Sequence, residues 1–134
     1  MTILVPNTGE VIALSLLVNK ITTAENLKYQ LFATNITPAE TDTAGTYTIA
    51  AGGGYADKTL TGASWTVTGG APSNASYAQQ TWTFTGALTT NPAIFGYIAI
   101  RAATGDLVFA ETFASFTPTN NGDQILLTPA ITCD

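Results

Sequence analysis

Residues 94–114 of the chain, IFGYIAIRAATGDLVFAETFA, contain two runs of apolar, β-branched and aromatic residues with a short turn between them. The runs cover 94–102 and 107–114, and Thr104 and Gly105 lie in the connection. Two such runs around a glycine-containing connection are typical of a β-hairpin. The stretch therefore predicts two adjacent antiparallel strands and makes an all-β fold the first hypothesis.

Shorter strand patterns surround this hairpin. Apolar Leu27, Tyr29 and Leu31 alternate with neighbours such as Lys28 and Gln30, which is typical of a half-buried strand. Turn-forming stretches such as GGAPSN and PTNNGD separate the strand patterns at intervals of about ten residues. Many short strands with such turns predict a single antiparallel β-sandwich or jelly roll. The further predicted strands are 47–50, 58–60, 64–68, 76–85 and 124–132.

The N-terminal segment has a helical pattern instead. Val11, Leu14, Leu17, Val18 and Ile21 recur at the spacing of a helix face, and Glu10 suits the first turn of a helix. We therefore predict one short helix at 8–19. With no linker inside the chain, we expect a single β-sandwich domain over 1–134, with an N-terminal arm and helix in about 1–20.

The residues ahead of this helix are extended and apolar. An extended apolar segment can add to a partner by strand pairing and by burial of its side chains. We therefore expect an arm that is laid onto another protein. The candidate partner-binding residues of the arm are Ile3, Leu4, Val5, Pro6 and Asn7.

The composition is poor in charge. Of 134 residues, 10% are charged and 46% are hydrophobic, whereas soluble domains have about a quarter of their residues charged. The net charge is −5, and the basic residues are Lys20, Lys28, Lys58 and Arg101. Four scattered cations do not form the clustered basic surface that nucleic acid or an anionic membrane requires. We therefore expect neither nucleic acid nor a membrane as a partner.

The inventory of reactive side chains is small. The chain has no histidine and a single cysteine, Cys133, which excludes histidine-based triads, an internal disulfide and the common zinc sites. Neither a P-loop nor a dinucleotide-binding glycine pattern is present. The start, MTILVPN, lacks the basic region of a secretory signal, so we expect synthesis in a cytosol. The prediction is a protein without catalytic activity, cofactor, metal or small-molecule substrate.

Glu111 is the one acidic residue within a predicted strand face. If Thr104 and Gly105 form a two-residue turn, Glu111 shares its face with Leu107, Phe109 and Phe113, opposite Ile94, Ile98 and Ile100. A carboxylate on an apolar face costs several kcal/mol unless it is paired. It is therefore either a functional acid or a structural residue, paired with Arg101 or Lys58 or placed at a sheet edge or subunit contact. We favour the structural interpretation and include Glu111 among the candidate partner-binding residues.

The aromatic residues at strand positions also allow two interpretations. They can form a platform on which sugars stack, or they can fill the core of a sandwich. Core packing is the commoner use, and we expect it here. These residues are Trp65, Trp82, Phe84, Phe95, Tyr97, Phe109 and Phe113.

Three segments carry a resemblance to a known group of proteins. They are VPNTGE at 5–10, YADKTLTGASW at 55–65 and FTPTNNGDQI at 116–125. In this order, and over most of the chain, they resemble small structural proteins encoded by tailed bacteriophages. Such proteins include capsid decoration or cement proteins, which sit on the outer shell and are often trimers. The matching motifs mark turns and strands, so the resemblance implies no functional residue.

The resemblance implies a non-enzymatic virion structural protein, made in the host cytoplasm and located on the capsid surface. Its expected partners are further copies of itself, as a homotrimer, and the major capsid protein, whose lattice it would stabilise. The alternative is a tail or fibre component that binds host-surface glycan through an exposed Trp65 or Trp82.

Overall fold

The computed structural model describes residues 4–17, 25–70 and 73–133. Within these ranges the chain forms one helix and nine strands, with two single turns of 3-10 helix at Ala44–Thr46 and Gly62–Ser64. The elements are α1 (Asn7–Leu17), β1 (Leu27–Phe32), β2 (Lys58–Leu60), β3 (Thr66–Thr68), β4 (Ser73–Ser76), β5 (Gln80–Thr83), β6 (Ile94–Arg101), β7 (Leu107–Phe116), β8 (Gln124–Leu127) and β9 (Ala130–Cys133).

All strand pairs in this part of the chain are antiparallel, and they form three sheets. The largest has four strands in the order β2-β1-β6-β7. A second has the order β3-β4-β9, and β5 pairs with β8 in a third. The predicted all-β class with one short N-terminal helix is therefore confirmed.

The four-stranded sheet is buried on both faces. Tyr29 and Leu31 of β1 and Tyr97 of β6 belong to one core cluster, against which side chains of β5 and β8 pack. Phe32 of β1 and Ile98 of β6 lie in a second cluster on the other face. Neighbouring residues of a strand point to opposite faces of the sheet. Because both faces of this sheet are buried, its strands contain consecutive apolar residues instead of a strict alternation of apolar and polar residues.

The central hairpin forms as predicted, but its register differs. The turn is longer than two residues: the Gly105 N–H donates to the Arg101 carbonyl, and Gly105 adopts a φ of 81°. The pairing also shifts between Ala99 and Ile100. As a result Leu107 lies in the second core cluster and Phe109 in the first, so the prediction that they share a face was wrong.

Three predicted strands differ from the structure. The predicted strand 47–50 is reduced to a single bridge between Ile49 and Phe32. The predicted strand 76–85 divides into the end of β4 and β5, which belong to different sheets. The predicted final strand, 124–132, divides into β8 and β9, which belong to different sheets. Buried Pro129 lies at the division, because proline has no N–H to donate to a strand ladder.

Helix α1 and the segment before it dock on β7, the edge of the large sheet. Leu4 and Ala110 exchange two backbone hydrogen bonds of 3.0 Å. In α1, Gly9 lies directly against the carbonyl of Val108, and Ile12 is buried. The predicted helix is thus confirmed up to Leu17, and residues 18–19 of the prediction lie outside the described chain.

Candidate functional site

Glu111 lies inside the protein, with 5% of its surface exposed. Tyr97 lies directly opposite Glu111 on the neighbouring strand β6, and the Tyr97 hydroxyl donates a hydrogen bond to Glu111 Oε2. The ring of Tyr29 stacks on that of Tyr97 at 5.3 Å, and Phe109 meets the Tyr29 ring edge-on at 5.8 Å. The carboxylate is therefore held by a tyrosine within an aromatic cluster.

Burial raises the pKa of Tyr97 well above its ordinary value, and the hydrogen bond to Glu111 raises it further. The pKa of Tyr29 is raised by burial first and then by the negative charge of Glu111. Both hydroxyls therefore remain protonated at neutral pH. Tyr97 is thus a permanent donor to the carboxylate, as a structural role for Glu111 requires.

The cations expected to pair with Glu111 have other partners. The guanidinium of Arg101 contacts Glu25 and, at 3.5 Å, Asp106. Lys58 Nζ lies 5.9 Å from the ring centre of Trp82. The predicted pairing of Glu111 with Arg101 or Lys58 was therefore wrong. The register shift in the hairpin places a tyrosine, and no cation, opposite the carboxylate.

The arm predicted to bind a partner follows its own sheet where it is described. Leu4 pairs with Ala110, Pro6 is fully buried, and the Asn7 N–H donates to the Glu40 carbonyl at 3.1 Å. Val5 is partly exposed, and Ile3 lies outside the described residues. Partner binding by the arm stays a prediction, and its described part offers mainly Val5 and the exposed Asn7.

An apolar cavity of about 390 Å³ lies where α1 and the β3-β4-β9 sheet meet the large sheet. Val67, Ala75 and Ile131 are register partners on β3, β4 and β9, so they form one apolar face. This face lines the cavity together with Ile12 and Leu16 of α1. The sequence pattern does not predict this cavity, because its walls come from segments that are far apart in the chain. Val67, an apolar residue between two threonines, is a local signal of an exposed apolar position.

Exposed apolar side chains are concentrated on α1. Val11 is 62% exposed and Leu14 is 60% exposed, and their spacing of three places both on the same face of the helix. Leu16 is also exposed, at the cavity. Val11 and Leu14 belong to the apolar pattern that predicted the helix, but the side of the helix that packs against the sheet contains Gly9 and Ile12 instead. We call Val11 and Leu14 the outer face of α1.

The aromatic residues mostly fill the core, as predicted. Trp82 is 2% exposed, and its indole N–H donates to the Ala56 carbonyl at 3.0 Å. Such a side chain is unable to stack on a sugar. Trp65 is partly buried and packs against Tyr77, with ring centres 5.3 Å apart. The core interpretation is thus confirmed for the four buried residues Trp82, Phe84, Tyr97 and Phe109.

The described residues contain no group of three or more cysteine, aspartate or glutamate side chains placed to hold a metal ion. In the same parts of the chain, no helix has the length and apolar character needed to cross a bilayer. No model of a protein family, no curated protein and no solved structure matches the chain.

Proposed function

We propose that the protein is a non-enzymatic structural component of a tailed-phage virion: a capsid decoration or cement protein that self-associates and stabilises the lattice of the major capsid protein. The observation that carries the proposal is the outer face of α1. Val11 and Leu14 are both exposed there by about three-fifths of their surface. A helix with apolar residues on both its inner and outer faces is typical of one that is covered on both sides.

Burial of this outer face against a coat subunit would be favourable. Fully burying one large aliphatic side chain contributes about 1.5–3 kcal/mol. Glu10 is the single charged residue of α1, so little charge would be desolvated at the same time. A virion lattice presents many identical subunits, so a modest contact repeated at each site stabilises the shell.

The predicted arm directly precedes α1 in the chain. Val5 is 40% exposed and lies two residues before α1 begins, so the arm and the outer face of α1 can contact one partner together. Glu111 is buried and does not contact the partner directly in this proposal. It lies on β7, the strand on which Leu4 and α1 dock, so it supports the partner surface from within the protein. The described arm residues of the proposed partner surface are Val5 and Asn7, whereas Leu4 and Pro6 hold the arm against its own sheet.

The arrangement as a single β-sandwich or jelly roll is part of the same proposal. Its support is a shared core: Trp82 of β5 lies in the same cluster as Tyr29 and Phe109 of the large sheet, and Ile125 and Leu127 of β8 pack against it. Two sheets that bury their inner faces against each other form a sandwich. The glycan-binding alternative has less support, since Trp82 is buried and hydrogen-bonded.

The test measures binding to empty shells assembled from the major capsid protein of the phage that encodes this chain. We expect the wild-type protein to co-sediment with the shells, and the double variant V11E/L14E to bind about ten-fold more weakly or worse, because two buried charges oppose the contact. Leu126→Glu is the matched control, since Leu126 is 55% exposed on β8. The circular dichroism and melting temperature of all variants should match those of the wild type.

Two results count against this proposal. If the wild-type protein does not bind the shells, the assignment as a decoration protein is wrong. If V11E/L14E binds as the wild type does, the outer face of α1 is not the contact surface.

A further inference from the structure

Strand β3 is an open edge of the three-stranded sheet. It pairs on one side with β4, and no strand in the described part of the chain pairs on its other side. All three of its residues, Thr66, Val67 and Thr68, are exposed. An unpaired edge presents backbone donors and acceptors that can pair with another strand.

The usual protection of such an edge is missing from β3. Natural edges are blocked by charged residues, prolines or bulges. The pairing of β3 with β4 has no register shift, and no charged residue occurs anywhere between Lys58 and Arg101. At 76% exposure, Val67 is the most exposed large apolar side chain among those described. The edge is therefore suited to pairing.

The sequence of the edge is self-complementary. It reads Thr-Val-Thr, so an antiparallel pair of two copies centred on Val67 places Val67 opposite Val67 and Thr66 opposite Thr68. A two-fold contact requires a patch that fits itself in this way. Directly opposed aliphatic and threonine side chains both stabilise antiparallel pairs.

Charge also favours a second copy of the chain as the occupant. With a net charge of −5, two copies repel each other wherever acidic residues meet. A side chain on a two-fold axis lies next to its own copy, so any charge at the axis would face a like charge. Strands β3 and β4 carry no charge, and two copies can approach there without such repulsion.

The added strand would also extend an apolar surface. Val67 lies on the face of its sheet that lines the 390 Å³ cavity, together with Ala75 and Ile131. A second Val67 beside the first would continue this face, and Leu16 of α1, which lines the same cavity, is exposed beside it. The contact therefore combines backbone hydrogen bonds with burial of exposed aliphatic side chains.

From these observations we infer that two copies of the chain associate through antiparallel pairing of their β3 edges, with Val67 on the two-fold axis. The two three-stranded sheets then become one continuous sheet across the dimer. This contact deepens the self-association part of the proposed function and uses a surface separate from the outer face of α1. It differs from a homotrimer, which a single two-fold contact does not generate.

The test is a disulfide across the axis. Cβ atoms of directly opposed residues in antiparallel strands lie about 4.5–5.5 Å apart, close to the separation that a disulfide needs. In a C133S background, which removes the natural thiol, V67C should form a disulfide-linked dimer under mild oxidation. The matched control is L126C/C133S, because Leu126 is also an exposed aliphatic side chain on a strand.

A second measurement needs no cysteine. In sedimentation equilibrium the wild-type protein should reach the dimer mass at micromolar concentrations, and Val67→Lys should weaken the dimer about ten-fold or more by placing like charges on the axis. The inference is overturned if the wild type is a monomer or a trimer and V67C/C133S forms no cross-linked dimer, or if L126C/C133S cross-links equally well. Loss of shell binding in V11E/L14E bears only on the proposed function and leaves this result unaffected.

Discussion

At the level of single residues, Glu111 explains how an acid can occupy an aromatic core. A buried carboxylate costs free energy unless hydrogen bonds compensate for its lost hydration. The sequence indicated that Glu111 needs a partner, but it did not indicate which one. The partner follows from the register shift between Ala99 and Ile100, which places Tyr97 opposite Glu111. A shift of this kind depends on tertiary packing and leaves no periodic signal in the sequence.

The pair makes Tyr97→Phe a sharp probe of stability. Removing the hydroxyl leaves a buried acceptor unsatisfied, so we expect the free energy of unfolding to fall by about 1–3 kcal/mol. The double variant Y97F/E111L, in which neither polar group remains, should recover part of this loss. Urea unfolding of the wild type and the three variants, including E111L alone, measures the coupling. Additive effects of the two substitutions would contradict a direct interaction.

At the level of elements, the sequence predicted what depends on local pattern. Strand β1, strand β2 and the central hairpin lie where alternation and turn residues placed them. The last predicted strand divides at Pro129, because proline has no N–H to donate to a strand ladder. Pro129 is visible in the sequence, but the apolar strand pattern around it predicted one continuous strand.

The buried face of α1 was not predictable by the same means. The helix has apolar residues on two faces, and hydrophobic spacing alone does not indicate which one packs inward. Gly9 decides the question, because a residue without a side chain allows the helix backbone to approach the Val108 carbonyl. The outer face of α1, the main part of the candidate partner surface, becomes visible only once this orientation is known.

The close approach at Gly9 predicts a local effect of Gly9→Ala. A Cβ at this position would overlap the Val108 carbonyl oxygen, so α1 must move away from β7. We expect a loss of about 1–3 kcal/mol in the free energy of unfolding and faster amide exchange in α1 than in β1 or β6. Gly45→Ala is the control, since its Cβ would meet nothing closer than 3.7 Å. Unchanged exchange in α1 would show that the contact does not hold the helix.

At the level of the whole molecule, the core depends on tyrosines in a chain with few ionic groups. Four of the five tyrosines have pKa values raised above the ordinary value of about 10, with burial as the largest cause in each. Tyr55 donates to Asp57 and Tyr47 donates to Asp42, both at 2.8 Å. The Tyr55 hydroxyl also accepts a hydrogen bond from the Leu31 N–H of β1, so it connects its loop to the large sheet. Their protonated forms are part of the folded structure.

This property predicts how stability depends on alkaline pH. A tyrosine whose pKa is higher in the folded than in the unfolded state contributes stability that is fully present below the unfolded value, about 10, and is lost as the pH rises through the folded value. We therefore expect the urea midpoint to be flat between about pH 8 and 9.5 and to fall steeply above about pH 10. Absorbance at the tyrosinate band should rise together with loss of the near-ultraviolet circular dichroism, because these tyrosines ionise only when the core opens. Tyr55→Phe removes one of the four groups and should make the fall of the urea midpoint with pH shallower. Ionisation of all the tyrosines near pH 10 with the fold intact would contradict their role in the core.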